Sequence, residues 1–275
     1  MQYPLDLDKI LESLRSGEIT VPQAEKLLSL YSIKEIGDFA KVDMDRQKRR
    51  GVPEVVFAQG KTVAETKEII AGMMSGSNPV VVSRIREEDY SGVVDFVRES
   101  GWKILDGRGA STLLIYKSEI SVVGGTVGVI TAGTSDIRVA EETRLVCKAM
   151  GCTCHTIYDA GVAGIQRVFA AVHEMIKKDV DVIVVVAGME GALATVVSSL
   201  VDIPVVGVPA SAGYGYGGEG VAALASMLQS CSLGVSVVNI DNGVGAGAVA
   251  ACIARRVHRH ERGPGYESDV PKGGP

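Results

Sequence analysis

Two acids in this chain stand where a strand, a turn and a helix meet. In Thr126–Glu142 (TVGVITAGTSDIRVAEE) an apolar β-branched run ends in small residues and a helical pattern follows; Asp181–Ala192 (DVIVVVAGMEGA) repeats the change of texture. A strand feeding a tight turn into a helix N-terminus is where α/β proteins hold anionic ligands, because free backbone N–H groups and the helix dipole favour negative charge there. The turn after the first run carries the hydroxyls of Thr134 and Ser135 and the carboxylate of Asp136. Ser135 and Asp136 suit a helix cap and equally suit ligand binding, and the two roles are compatible. Asp136 could act as a base or hold a metal, and Arg138, on the next turn, could meet a phosphate. Glu190, flanked by Met189 and Gly191 after the second run, is expected to be partly desolvated, which would raise its pKa and suit it to proton transfer. An exposed loop glutamate is the plain alternative.

Two more connections have the same character. Tyr158–Gly164 (YDAGVAG) and Asp241–Gly247 (DNGVGAG) follow other strand-like runs. Gly161, Gly188 and Gly243 would let the backbone approach a ligand closely, with Asp159 and Asp241 at the edge of the site, although aspartate also simply forms turns. Pro209–Gly220 (PASAGYGYGGEG) is a long Gly-rich connection of the kind that closes over substrates or is merely a surface loop. Cys231, in LQSCSLG, could be a reactive thiol or a small buried hydrophobe. Cys152 and Cys154 flank one strand residue and are expected to pack in the core. His155, His173, His258 and His260 are scattered without metal-ligand spacing. The run Arg46–Arg50 (RQKRR) reads as a solvated charge run, with phosphate binding as the weaker reading.

The elements that must position these groups follow a regular plan from Val122 onward. Strands fit Val127–Thr131, Thr153–Tyr158, Val182–Ala187, Val205–Val208 and Val235–Ile240. Helices fit Ile137–Met150, Ile165–Lys178, Gly191–Ser199, Gly220–Gln229 and Gly245–Arg259. Near-continuous Val/Ile strands alternating with helices predict a parallel five-stranded sheet buried on both faces, in a flavodoxin-like three-layer αβα sandwich. Its ligands belong at the carboxyl ends of the strands. Before it, residues 1–121 predict a smaller α/β domain. Two leading helices (Asp6–Arg15, Val21–Tyr31) and a charged stretch (Lys41–Arg50) precede strands at Glu54–Ala58, Val80–Arg84 and Thr112–Tyr116, with helices at Val63–Met74 and Asp89–Ser100. The sandwich domain occupies 122–260, and the Gly/Pro/charge-rich segment 261–275 predicts a disordered tail.

Bulk properties narrow the function. A net charge of −5 with 46% hydrophobic residues argues against nucleic acid, since nothing would drive counterion release. The first residues, MQYPLDLDKI, show no basic segment followed by an apolar one, and the longest uncharged apolar run is far short of a membrane span. Five cysteines in irregular spacing suggest free thiols in a reducing cytoplasm.

The motifs together point to a family. TSD after the first strand of the sandwich, AGMEGALATVV after the third and PVVGVP in the fourth resemble the PurE-like aminoimidazole ribonucleotide (AIR) carboxylase/mutase family. That family has histidines in the loops after its second and third strands. Here those places hold Asp159–Gly164 and Met189–Leu193, with no histidine, which argues against purine mutase chemistry. With RQKRRGVPEVVFAQGKT (Arg46–Thr62), AGMEGALATVVSSL and QSCSLGVSVVNIDNGVGAG (Gln229–Gly247) included, nearly the whole chain resembles the LarB family of nickel-pincer nucleotide biosynthesis, associated with lactate racemase.

The resemblance implies carboxylation of the pyridinium ring of nicotinic acid adenine dinucleotide by carbon dioxide or bicarbonate, hydrolysis of its phosphoanhydride, and a requirement for Mg²⁺. The products implied are pyridinium-3,5-biscarboxylic acid mononucleotide and AMP. It implies Cys231 as nucleophile, Glu190 as proton acceptor, and Ser135, Asp136 and Arg138 as binders of the nicotinate nucleotide. Which acid would hold Mg²⁺ stays open, with Asp136 and Asp241 as the candidates. PurE-like proteins are octamers, and the chain's own order predicts shared sites. Cys231 precedes its strand and so sits at the amino edge of the sheet, roughly 17–20 Å from the carboxyl edge, and would serve a neighbouring subunit. The other readings are a PurE-like carboxylase acting on another heterocyclic nucleotide and a non-catalytic nucleotide-binding module.

Overall fold

A computed structural model describes residues 7–28, 33–76 and 78–261. Helices α1 (Leu7–Ser16) and α2 (Val21–Leu28) lie against each other. The backbone N–H and hydroxyl of Thr20 both donate to Gln23 Oε1, at 2.7 and 3.0 Å, and so tie off the start of α2. Strands β1 (Ile33–Ile36) and β2 (Ala40–Asp43) form an antiparallel hairpin, and Arg46–Arg50 makes the short helix α3. The charged stretch is thus part strand and part helix. Its cations close on nearby acids, Arg49 on Asp43, Lys48 on Asp45 at 3.0 Å and Arg46 on Glu54 at 3.1 Å, which speaks against the phosphate-binding reading of this run.

Next come β3 (Val55–Phe57), α4 (Val63–Met74), β4 (Val80–Ser83), α5 (Glu87–Glu99), β5 (Lys103–Asp106) and β6 (Leu113–Tyr116). Helix α4 starts in a capping box: Glu65 N–H donates to Thr62 Oγ1 at 3.2 Å, and Thr62 N–H to Glu65 Oε2 at 2.7 Å. The strands form a mixed sheet ordered β3-β4-β6-β5. The sequence reading missed β5, because this edge strand of four residues has no buried side chain to create a period-two pattern.

From Thr126 the chain runs β7 (Thr126–Thr131), α6 (Ile137–Ala149), β8 (Thr153–Ile157), α7 (Ile165–Lys177), β9 (Val182–Ala187), α8 (Ala192–Ser198), β10 (Val205–Pro209), α9 (Val221–Leu228), β11 (Val235–Val237) and α10 (Gly243–Glu261). The five strands are all parallel, ordered β11-β10-β9-β7-β8, the flavodoxin-like αβα sandwich expected. Strand β11 stops at Val237, short of the expected Ile240; it is an edge strand, and the chain bends at Asp241 (φ +52°) into α10. The predicted tail beyond residue 261 lies outside the described residues.

All six residues of β9 are buried. Val182, Val184 and Val186 enter the core shared with α6 and α10, while Ile183, Val185 and Ala187 enter the core of α7 and α8. Val81 and Leu114 of the small sheet join the first of these cores, so α6 is sandwiched between the two sheets. That placement buries Glu141, Glu142 and Thr143, polar residues the helical pattern alone would put in solvent. Among the described residues no helix is long and apolar enough to cross a membrane.

Candidate active site

Helices α6 and α8 leave β7 and β9 toward opposite faces of the sheet, and the two loops part between them. This is the switch point where open α/β sheets bind ligands. The cleft that results holds about 430 Å³ and is lined by Ser135, Asp136, Gly161, Arg167, Gly188 and Glu190, with Met189 and Tyr214 at its side. Its backbone is close-packed. A methyl group on Gly161 would press on the Ala132 carbonyl at 2.8 Å, and one on Gly188 would collide with that of Ala212. Both glycines are therefore required by the close approach of neighbouring loops.

Asp136 is the buried acid of this cleft, 4% exposed. It does not cap α6 with its side chain; instead its Oδ2 accepts the N–H of Gly133 at 2.8 Å, closing a single 3-10 turn over Thr134–Asp136. Burial pushes its pKa up to about 6; that bond lowers it, and the nearby charge of Asp241 raises it further. Glu190 is exposed on the single chain, which corrects the expectation of a desolvated glutamate. The glycines around it leave its side chain uncovered, and the desolvated carboxylate of the cleft is Asp136.

Other expected residues are distributed differently. Thr134 is exposed and outside the cleft lining. Asp159 (φ +60°) donates its N–H to Thr131 Oγ1 at 3.0 Å and pairs through Oδ2 with Arg167 at 3.0 Å. It therefore positions a cleft arginine rather than lining the cleft itself. The sequence reading missed Arg167, although it stands on the first turn of its helix as Arg138 does on α6. Arg138 and Asp241 line a second opening, between the small sheet and α6. Gly243 lines neither opening; it is the close contact of α10 on α6, where a side chain would strike the Val139 carbonyl and Glu142.

Cys231 is exposed in the loop between α9 and β11, at the amino edge of the sheet and away from the cleft lining. Its neighbours hold the loop down. Thr195 Oγ1 donates to Ser230 Oγ at 2.9 Å, Ser232 Oγ to Ser198 Oγ at 3.0 Å, and Ser198 Oγ to the Leu233 carbonyl at 3.1 Å. This hydroxyl ladder to α8, invisible as a sequence pattern, presents the thiol on an anchored loop. Cys152 is buried, as expected of a core residue, whereas Cys154, expected beside it, is only half-buried; Cys147 is buried as well. A bond with Cys154 and burial raise the Cys147 pKa, and burial pushes Cys152 up to about 12.

Among the described residues no three His, Cys, Asp or Glu side chains gather into a metal-binding group. Asp136 and Asp241, the expected acids, line two different openings. Either carboxylate is a hard oxygen donor of the kind that holds Mg²⁺ together with water and substrate phosphates.

Residues 33–104 match the model of the LarB/PurE-like N-terminal domain, and residues 126–262 that of AIR carboxylase. The chain is 42% identical over 258 residues to an uncharacterized protein of Methanocaldococcus jannaschii, covering 92% of this chain and 99% of that protein. It is also 32% identical over 124 residues to the N5-carboxyaminoimidazole ribonucleotide mutase of the same organism, covering 44% of this chain and 74% of that enzyme.

Proposed function

We propose, from the premise that this chain belongs to the LarB family and carries a PurE-like carboxylase domain, that it carboxylates the pyridinium ring of nicotinic acid adenine dinucleotide. In the same reading it hydrolyses the phosphoanhydride, releasing pyridinium-3,5-biscarboxylic acid mononucleotide and AMP, the first step toward a nickel-pincer nucleotide. One observation carries the reading. Among the described residues, a PurE-type cleft is lined by two carboxylates, Asp136 and Glu190, and by no histidine, in a chain that also presents the exposed thiol of Cys231.

The chemistry explains why a thiol and acids replace histidine. Carbon 5 of a pyridinium ring is electron-poor and does not attack carbon dioxide. Addition of the Cys231 thiolate to the adjacent ring carbon removes the aromaticity and makes carbon 5 an enamine nucleophile. Carbon 5 then bonds to carbon dioxide, its proton passes to a cleft carboxylate, and the thiolate leaves with the carbon–sulfur electron pair as the ring regains aromaticity. Glu190 is the acceptor implied by the family. Asp136, which burial lifts to a pKa of about 6, is the alternative proton acceptor only where it does not hold the metal. Ser135 and the N-terminal turn before α6 bind the nicotinate nucleotide. Asp136 and Asp241 would hold Mg²⁺ with the substrate's phosphates, and the ion, when bound, supplies charge neutralisation on the anhydride. Cys231 reaches the cleft of a neighbouring subunit in a homo-oligomer, an octamer by analogy with PurE-like proteins.

The test is incubation of the purified chain with nicotinic acid adenine dinucleotide, Mg²⁺ and labelled bicarbonate, followed by chromatography and mass spectrometry. The expected result is AMP together with a labelled dicarboxylated pyridinium mononucleotide. No label incorporation with Cys231 reduced would overturn the reading and direct the assay to aminoimidazole ribonucleotide.

A further inference from the structure

The second opening, about 350 Å³ in volume, lies between the small sheet and the first turn of α6. Arg84 and Arg86 reach it from the segment that leaves β4, and Arg138 from α6. Arg86 is paired with Asp89 at 2.6 Å. The hydrogen bonds of Arg84 go to neutral oxygens, Gln59 Oε1 at 3.4 Å and the Asp241 carbonyl at 3.1 Å. Among the described residues Arg138 has no ion-pair or hydrogen-bond partner. Two acids also border the opening, and both are engaged. Glu142 accepts from Ser83 and from Val244 N–H at 3.1 Å, and burial raises its pKa. Asp241 Oδ1 accepts from Ser211 N–H at 2.8 Å.

Backbone strain marks the same place. Arg84 (φ +56°) and Asp241 (φ +52°) both hold left-handed conformations, which L side chains with a Cβ adopt only where surrounding structure enforces them. The Arg84–Asp241 hydrogen bond joins the two strained residues across the junction of the small sheet and the sandwich. A cavity that gathers guanidinium groups, two of them without a carboxylate partner among the described residues, suits an anion. Planar guanidinium forks match phosphate oxygens in pairs, which a lysine cannot do.

We propose that this opening seats the phosphate of a nucleoside monophosphate, with Arg84 and Arg138 as its principal donors. The identity of that nucleotide rests on the function proposed above: it is the adenylate half of the dinucleotide, and AMP after cleavage. Arg138, which lines this opening, follows Asp136, which lines the other, by two residues. A dinucleotide with its nicotinate half in the Asp136 cleft and its adenylate half here would carry its anhydride past the turn of residues 136–138 that runs from one opening to the other. The small N-terminal sheet thereby becomes part of the substrate site rather than only a packing partner.

The experiment is calorimetric titration of the full chain with AMP, and separately with inorganic phosphate, in the absence of dinucleotide. AMP is expected to bind at least tenfold more tightly than phosphate, and nicotinate mononucleotide to leave it in place. Arg138→Gln, on an exposed side chain, is expected to weaken AMP binding tenfold or more at unchanged melting temperature. Arg138→Lys should recover only part of the loss. Arg84→Gln serves as the second variant. AMP affinity within twofold of the original in both glutamine variants overturns the proposal, as does equal binding of phosphate and AMP, or absence of AMP binding at millimolar concentration. Arginine-dependent AMP binding without carboxylation would fail the proposed activity alone. Carboxylation with arginine-independent AMP binding would fail this inference alone.

Discussion

At the scale of residues, the cleft concentrates its electrostatics in Asp136. Its pKa of about 6 lies above the ordinary 3.8, so the folded chain holds this proton more tightly than the unfolded chain. Its favourable contribution is complete below about pH 4 and is lost as pH rises through 6. At ~1.4 kcal/mol per pKa unit, burying the charge costs about 3 kcal/mol at pH 8. Asp136→Asn keeps an oxygen for the Gly133 N–H and removes the charge. It is expected to melt higher than the parent at pH 8 and level with it at pH 4, while carboxylation falls at least a hundredfold. Equal melting at pH 8 would mean that the carboxylate is solvated. The cysteines divide as sharply. Cys231 and Cys252 are exposed, and Cys147 and Cys152 are buried, so iodoacetamide should modify the first two in the native protein and the second two only after unfolding. Mass spectrometry of peptides from a timed reaction reads this directly; native labelling of Cys147 would contradict the packing of α6.

At the scale of elements, α8 joins two groups of the proposed chemistry. It begins just after the Glu190 turn and ends near the loop of Cys231, which Thr195 and Ser198 hold through hydroxyls. Each such hydrogen bond contributes about 1 kcal/mol. Ser198→Ala should therefore raise amide exchange in Ser230–Leu233 and lower the carboxylation rate several-fold with little loss of global stability. Unchanged exchange would show that the loop needs no anchor. The apolar runs made α8 and its neighbouring strands legible in the sequence, with ends within a residue or two. The ladder was not legible, because hydroxyls 35 residues apart in the chain, Thr195 and Ser230, carry no period. The capping reading of Asp136 is not what the fold uses, for a related reason: capping is one local use of a carboxylate, and here the tighter 3-10 turn takes it instead.

At the scale of the whole molecule, the chain exposes an apolar face beside Cys231. Leu233 is 93% exposed, Leu228 66% and Val221 59%, all on α9 or the loop after it. A face of this kind beside the thiol is what a shared active site requires, since Cys231 stands at the opposite edge of the sheet from the cleft. Leu233→Glu is expected to shift the protein to smaller species in light scattering and to abolish carboxylation together with assembly. An unchanged mass would place the interface elsewhere. Mixing Cys231→Ser with Glu190→Gln subunits, each inactive alone, should restore part of the activity in reassembled hetero-oligomers. No recovery would confine each site to one chain.

The order of elements, the parallel sheet and the cleft at its carboxyl edge were determined by the sequence itself, because strand burial on two faces writes continuous Val/Ile runs and each turn follows its own strand. Ser135, Asp136, Gly161, Gly188 and Glu190 converge for that reason: each sits at a strand end, and parallel strands bring their ends together. Only the tertiary structure decided which carboxylate is buried, because burial depends on what lies above a turn and not on the turn. Only it separated Arg138 and Asp241 from that group and set them beside Arg84. The sheet that supplies Arg84 packs on the far side of α6, a contact between residues more than fifty positions apart that no local pattern encodes.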